Sequence, residues 1–310
     1  MEFTTKNLPY DHAATKRALA LMFASAVMFG AMAFAAKLAS ARLTGSQVAL
    51  VRFAIGLTPA LLIPAYRRLA FTFNRWDLLL YRGLFGGLAV LFYFLAIEHT
   101  HVGVATLLNY TAPLFSGILS VVFIGERITP RVLIPLPVAL AGVYLVVSAN
   151  ARPGDVLGFG KWELVGVLSA VCSGAAVTAM RAARRGENSW SVYTSFCTFG
   201  VLVTAPLGIA TWKTPTAHEW TPLLATALLA IGAQLLLTFS LRWVDAMTVG
   251  VISQIAVLVS LVLGVGMLGE TIPATAMIGA ALTIGGVVGV VYFQSLAKPN
   301  VAAEEVAPEA

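Results

Sequence analysis

The residues that could do chemistry lie inside long apolar runs. Asn109 and Tyr110 sit mid-run, with Pro113 one helical turn further on. Ser253 and Gln254 stand mid-run much later in the chain, and Tyr93 and Gln234 add a phenol and an amide in two further runs. All seven are uncharged. Hydroxyls, amides and rings of this kind bond a solute and accept an apolar side chain; they do not form a general acid/base pair. A catalytic set is missing from the pattern: there is no HExxH, no clustered histidine, and no mid-run Asp or Glu. Cys172 and Cys197 have no CxxC partner. No catalytic residue, metal ligand or cofactor is expected. Binding of a small molecule is.

The elements that must position these groups follow from composition. Of 310 residues, 59% are hydrophobic and 11% charged, against roughly 25% charged in soluble domains. The net charge of +6 comes from Lys and Arg scattered beside apolar runs, so it is no nucleic-acid footprint. A polytopic all-α membrane protein remains. Ten runs are long enough for spans: Ala18–Ala39, Gln47–Tyr66, Asp77–Ile97, Gly103–Ile124, Val132–Ser148, Glu163–Arg184, Ser191–Trp212, Thr221–Leu241, Ala246–Leu268 and Ala274–Phe293. All six tryptophans fall at their ends, where the amphipathic ring meets the headgroups. With the N-terminus inside, thirteen Lys and Arg fall on the cytoplasmic side and four outside. Both termini are therefore expected in the cytoplasm.

Residues 25–40 and 169–184 share seven of sixteen identities at an offset of 144. The same offset pairs Gly56 with Gly200, Gly125-Glu126 with Gly269-Glu270, and Gly142 with Gly286. Each half holds five helices. Five is odd, so the second half crosses with opposite polarity. The expected layout is a cytoplasmic segment 1–17, a first repeat 18–148, an outer loop 149–162, a second inverted repeat 163–294 and a disordered cytoplasmic tail 295–310. Inverted repeats in secondary transporters place the substrate near the midplane, between the halves. The offset carries Asn109 onto Ser253 and Tyr110 onto Gln254, giving both halves adjacent polar residues at one depth. Pro113 maps onto Val257, so a proline kink is expected in the fourth helix alone.

Arg52-Phe53, the Gly125-Glu126-Arg127 turn, its mate Gly269-Glu270 and the glycine-bearing fifth and tenth runs resemble the drug/metabolite transporter superfamily, specifically the EamA family. Within it the chain is similar to bacterial aromatic amino-acid exporters of the YddG type. The resemblance implies a multi-pass protein of the bacterial inner membrane that exports amino acids or related metabolites.

Asn109, Tyr110, Ser253, Gln254, Tyr93 and Gln234 are the expected substrate contacts, with Pro113 as hinge. The expected partners are a small-molecule substrate and the lipid bilayer, with no nucleic acid. A monomer is expected, with a dimer through Gly285-x-x-x-Gly289 as the alternative. Lys37 and Arg82 are expected to snorkel, and Arg52 to pair with a carbonyl or carboxylate. Glu126 and Glu270 are read as structural or gating groups that bond the start of the next helix or a basic partner. A membrane enzyme, or a carrier of nucleotide sugars, organic anions or drugs, stands as the competing reading.

Overall fold

A computed structural model describes residues 12–63, 74–124, 130–149, 160–183, 187–240 and 246–296. Among these residues all regular structure is helical: α1 (His12–Ala39), α2 (Gly45–Leu62), α3 (Trp76–His99), α4 (Val102–Asn109), α5 (Ala112–Ile124), α6 (Pro135–Ser148), α7 (Lys161–Ala183), α8 (Ser189–Ala210), α9 (Ala217–Ser240), α10 (Ala246–Ser253), α11 (Ile255–Leu268) and α12 (Ala274–Leu296). α4 with α5 forms the fourth span and α10 with α11 the ninth. Nine stretches of the described chain are long and apolar enough to cross a membrane, and α6 is a shorter apolar helix. α6 follows a 3-10 turn, Pro130–Leu133, and starts at Pro135, where a missing N–H costs nothing. The outside is apolar: Leu202, Leu228, Val262 and Ile278 are all more than half exposed, while Ser25, Ser169, Thr106 and Thr226 are fully buried. That distribution suits lipid as solvent. Five of the six tryptophans lie at helix ends; Trp243 falls outside the described residues.

The repeat is visible in the packing. α3 packs on α7 as α1 packs on α9, and α4–α5 pack on α7 as α10–α11 pack on α1. α2 meets its own mate α8, and α6 meets its mate α12. Individual bonds repeat too. Ser25 Oγ donates to Ala233 O at 2.7 Å, and Ser169 Oγ lies 2.8 Å from Ala89 O; both pairs obey the offset of 144. Small residues let these helices approach. A methyl at Gly30 would fall 2.8 Å from Ala256 O, and one at Gly174 3.0 Å from Ala112 O, again equivalent contacts.

Inversion shows at one face. Gln47, in the first turn of α2, donates to Lys213 O at 2.7 Å and accepts from Lys213 N at 3.0 Å, just beyond the end of α8. The start of α2 thus lies beside the end of its mate. Arg42 and Glu219 pair at 2.5 Å on the same face, and Lys213 Nζ donates to Arg42 O at 2.8 Å.

Candidate functional site

Both halves carry a broken helix at the same repeat position. The fourth span breaks at Tyr110 and Thr111, the ninth at Gln254. Thr111 N bonds Leu108 O at 3.1 Å, and Gln254 N bonds Val251 O at 3.1 Å, both tight i→i−3 turns. Pro113 is the second residue of α5 and supplies no N–H there. The proline is not duplicated, yet the ninth span breaks at the equivalent place. Hydroxyls compensate for the disturbed ladder: Thr111 Oγ1 donates to Leu108 O at 2.6 Å and Ser253 Oγ to Gly250 O at 2.8 Å. Such back-bonding offers the chain an alternative to helical bonds. The two breaks meet, with Gln254 Nε2 3.4 Å from Tyr110 O and 3.5 Å from Gly250 O.

Asn109 is already engaged. Its Oδ1 accepts from Ser173 Oγ at 3.2 Å and lies 2.7 Å from Ser169 Oγ, whose single proton serves either Asn109 or Ala89 O at one time. Asn109 therefore bridges α4 to α7, across the repeats. Ser253 spends its proton within α10. Tyr93 is buried, its hydroxyl 2.9 Å from Thr106 Oγ1. Gln234 lies half-buried on α9, one residue beyond Ala233, which receives Ser25. The structure thus brings Asn109, Tyr110 and Gln254 together at the breaks, and it ties Tyr93 on α3 to Thr106 on α4.

The cations correct the sequence reading. Lys37 does not snorkel: Nζ donates to Ile97 O at 2.8 Å and Thr100 O at 2.6 Å, at the end of α3. Arg82 does not snorkel either. It is 8% exposed, with its guanidinium carbon 4.3 Å from the Phe196 ring centroid. Arg52, also 8% exposed, has no carboxylate partner among the described residues. It faces the rings of Phe53 at 5.1 Å, Phe196 at 5.7 Å and Phe94 at 5.8 Å. Tyr193 and Cys197 pack with Phe53 and Phe196 in the same cluster. Sequence reasoning missed Phe196, although the offset of 144 pairs it with Arg52. Outside the spans, hydrogen bonding to Glu219 raises the Arg42 pKa. Glu270 reaches the start of α4 and not that of the helix that follows it, α12. Its mate Glu126 lies outside the described residues.

The sequence pattern of the EamA-like transporter family matches residues 16–148 and again 160–292. The chain belongs to that family. It is similar to the pseudopaline exporter CntI of Pseudomonas aeruginosa, 29% identical over 243 residues in both strain UCBPP-PA14 and strain PAO1. That match covers 78% of this chain and 84% of the exporter. An uncharacterized transporter of Archaeoglobus fulgidus is 27% identical over 205 residues, 66% of this chain and 72% of its own. A solved crystal structure shares the fold with a TM-score of 0.58 at 21% identity, covering 91% of this chain and 99% of the other. The EamA-like protein is therefore an all-α, multi-pass membrane transporter built from two inverted five-helix repeats.

Proposed function

We propose that this EamA-like protein is a secondary carrier that exports small metabolites, amino acids including aromatic ones foremost, by alternating access between its repeats. The observation that carries the reading is the pair of breaks at Tyr110 and Gln254, equivalent in the two halves and in contact. Broken helices at mid-depth offer backbone groups to a solute where the rest of the bilayer core offers none. Tyr110, Tyr93, Asn109, Ser253, Gln254 and Gln234 are the proposed solute contacts, and Pro113 the proposed hinge. The protein lies in a bacterial inner membrane with both termini in the cytoplasm, as a monomer, and performs no catalysis.

The resemblance to the pseudopaline exporter favours a second substrate class within the same carrier reading, a larger metabolite of pseudopaline type. Reconstituted full-length protein decides between them. Saturable, competable flux of phenylalanine or tryptophan supports the first class. Flux confined to pseudopaline supports the second. Conversion of a solute to a new product overturns both.

A further inference from the structure

Arg52 and Arg82 are buried to more than nine-tenths. Among the described residues neither donates a hydrogen bond or meets a carboxylate, and Arg82 Nε is fully enclosed without an acceptor. The two guanidiniums share one ring, Phe196, with their carbons 5.7 and 4.3 Å from its centroid. A ring face offsets part of the cost of burying a cation but accepts none of the N–H groups of a guanidinium in its plane. Two unpaired buried cations side by side are an arrangement that a fold abandons unless something pairs them.

The repeat shows that the fold does not require them. At an offset of 144, Arg52 corresponds to Phe196 and Arg82 to Thr226. The second half builds the same helices with a ring and a hydroxyl, so the charge belongs to one half only. Position matters as well. Arg52 meets Phe196, its own mate, so both lie beside the pseudo-two-fold axis. Tyr110 and Gln254, also mates in contact, lie beside that axis too. α3 is trimmed to admit the group: a Cβ at Gly86 would strike the Arg82 guanidinium and fall 2.8 Å from the Phe196 ring.

The geometry points to Arg52 and Arg82 as the seat of a carboxylate of the transported solute, with Phe196, Phe53 and Phe94 walling the apolar remainder. This rests on the carrier reading and narrows it: the solute enters with an ionised carboxylate, whatever its net charge, and compounds that lack one are excluded. A carboxylate is planar and accepts two parallel N–H bonds from a guanidinium. It supplies what both arginines lack.

The test uses purified full-length protein, for binding by thermal shift and for counterflow in proteoliposomes. The probes are phenylalanine and succinate, each against its amide, phenylalaninamide and succinamide. At least one acid is expected to bind about ten- to a hundred-fold better than its amide, the range for a lost hydrogen bond to a charged group. Arg82→Gln should weaken that acid by a similar factor, with Arg82→Lys recovering part. The ligand-free Arg82→Gln protein should melt no lower than the parent, because an unpaired buried charge has been removed; an arginine serving structure alone would show the reverse. Amides bound and carried as well as acids, or acid affinity unchanged in Arg82→Gln, overturn the seat and leave the carrier standing. Acid binding that depends on Arg82, without flux, removes the carrier and leaves the seat. No binding of either acid overturns the seat.

Discussion

Glu270 holds the backbone N–H of Val102 with both carboxylate oxygens at 3.0 Å. The acid follows α11 in one repeat and caps α4 in the other. Gly269, at φ 65°, turns the chain so that Glu270 N bonds back to Gly264 O at 3.1 Å, the helix stop for which glycine is favoured. An acid beyond a helix C-terminus opposes that helix's dipole. Here it serves the positive end of α4. Lys37 secures the other side of the same corner through Ile97 O and Thr100 O, within electrostatic reach of Glu270.

Glu270→Ala should therefore lower stability by about 1–2 kcal/mol, the range for a lost N-cap, and Glu270→Gln by less. Lys37→Met should be destabilising as well. Because both groups hold one corner, the double variant should be less destabilised than the sum of the singles. Melting midpoints of the purified proteins read this directly, and strict additivity would show that the corner is not a unit.

The paired serines give a second expectation. Ser25→Ala and Ser169→Ala each remove a buried bond to an equivalent carbonyl, Ala233 O or Ala89 O. Each should cost about 1 kcal/mol, because the single Ser169 proton serves Ala89 O or Asn109 Oδ1, one at a time. The two should add, because they share no partner. A markedly larger loss for Ser169→Ala would show that Asn109 depends on that serine as well.

The breaks separate structure from transport. Asn109→Leu loses the bridge to Ser169 and Ser173, so it should cost both flux and about 1–3 kcal/mol of stability. Gln254→Leu gives up only long contacts, at 3.4 and 3.5 Å. It should leave the melting midpoint nearly unchanged while slowing flux several-fold. Pro113→Ala should not heal the fourth span, since the ninth breaks with no proline. Hydrogen exchange at Thr111 and Gln254 checks this; strong protection at Thr111 in Pro113→Ala would assign the break to proline alone.

These elements also show what was legible in the chain. The offset of 144 is written in identities, so ten spans and two inverted halves could be read directly. The place of the fourth-span break is marked in the sequence by Pro113, which has no N–H to offer Asn109 O. The ninth-span break could not. It depends on Ser253 and Gln254 turning their polar groups back onto Gly250 O, and the same residues also fit an unbroken helix. The surroundings of Arg82 were equally hidden. Its charge is obvious in the sequence, but the ring above it, Phe196, comes from α8. Snorkelling follows from position along one helix; burial under a neighbour's ring follows from how two helices cross.

Topology follows from the charge count. The count places both termini in the cytoplasm by expectation, so the segment holding Arg152 and Lys161 is expected outside. A cysteine at Asp155, in a variant lacking Cys172 and Cys197, should react with a membrane-impermeant thiol reagent in intact cells. One at Glu187 should be protected. Asp155 lies outside the described residues, so the prediction stands on charge alone. The opposite labelling pattern would invert the assignment.

Energy coupling is argued from where the acids stand. Among the described residues, Asp77, Glu98, Glu163, Glu187, Glu219 and Glu270 all lie within a few residues of a helix end or beyond it. None stands at the breaks. A proton-driven exchanger ordinarily uses a membrane carboxylate that solute and proton occupy in turn. The cations buried within the spans are instead Arg52 and Arg82, which stay protonated across the physiological range. Downhill flux of phenylalanine or tryptophan in proteoliposomes should therefore persist when a protonophore abolishes the pH difference. A strict requirement for an imposed proton gradient would overturn this, and would direct the search to Tyr93, Tyr110 and Cys197 around Arg52 as the groups that exchange the proton.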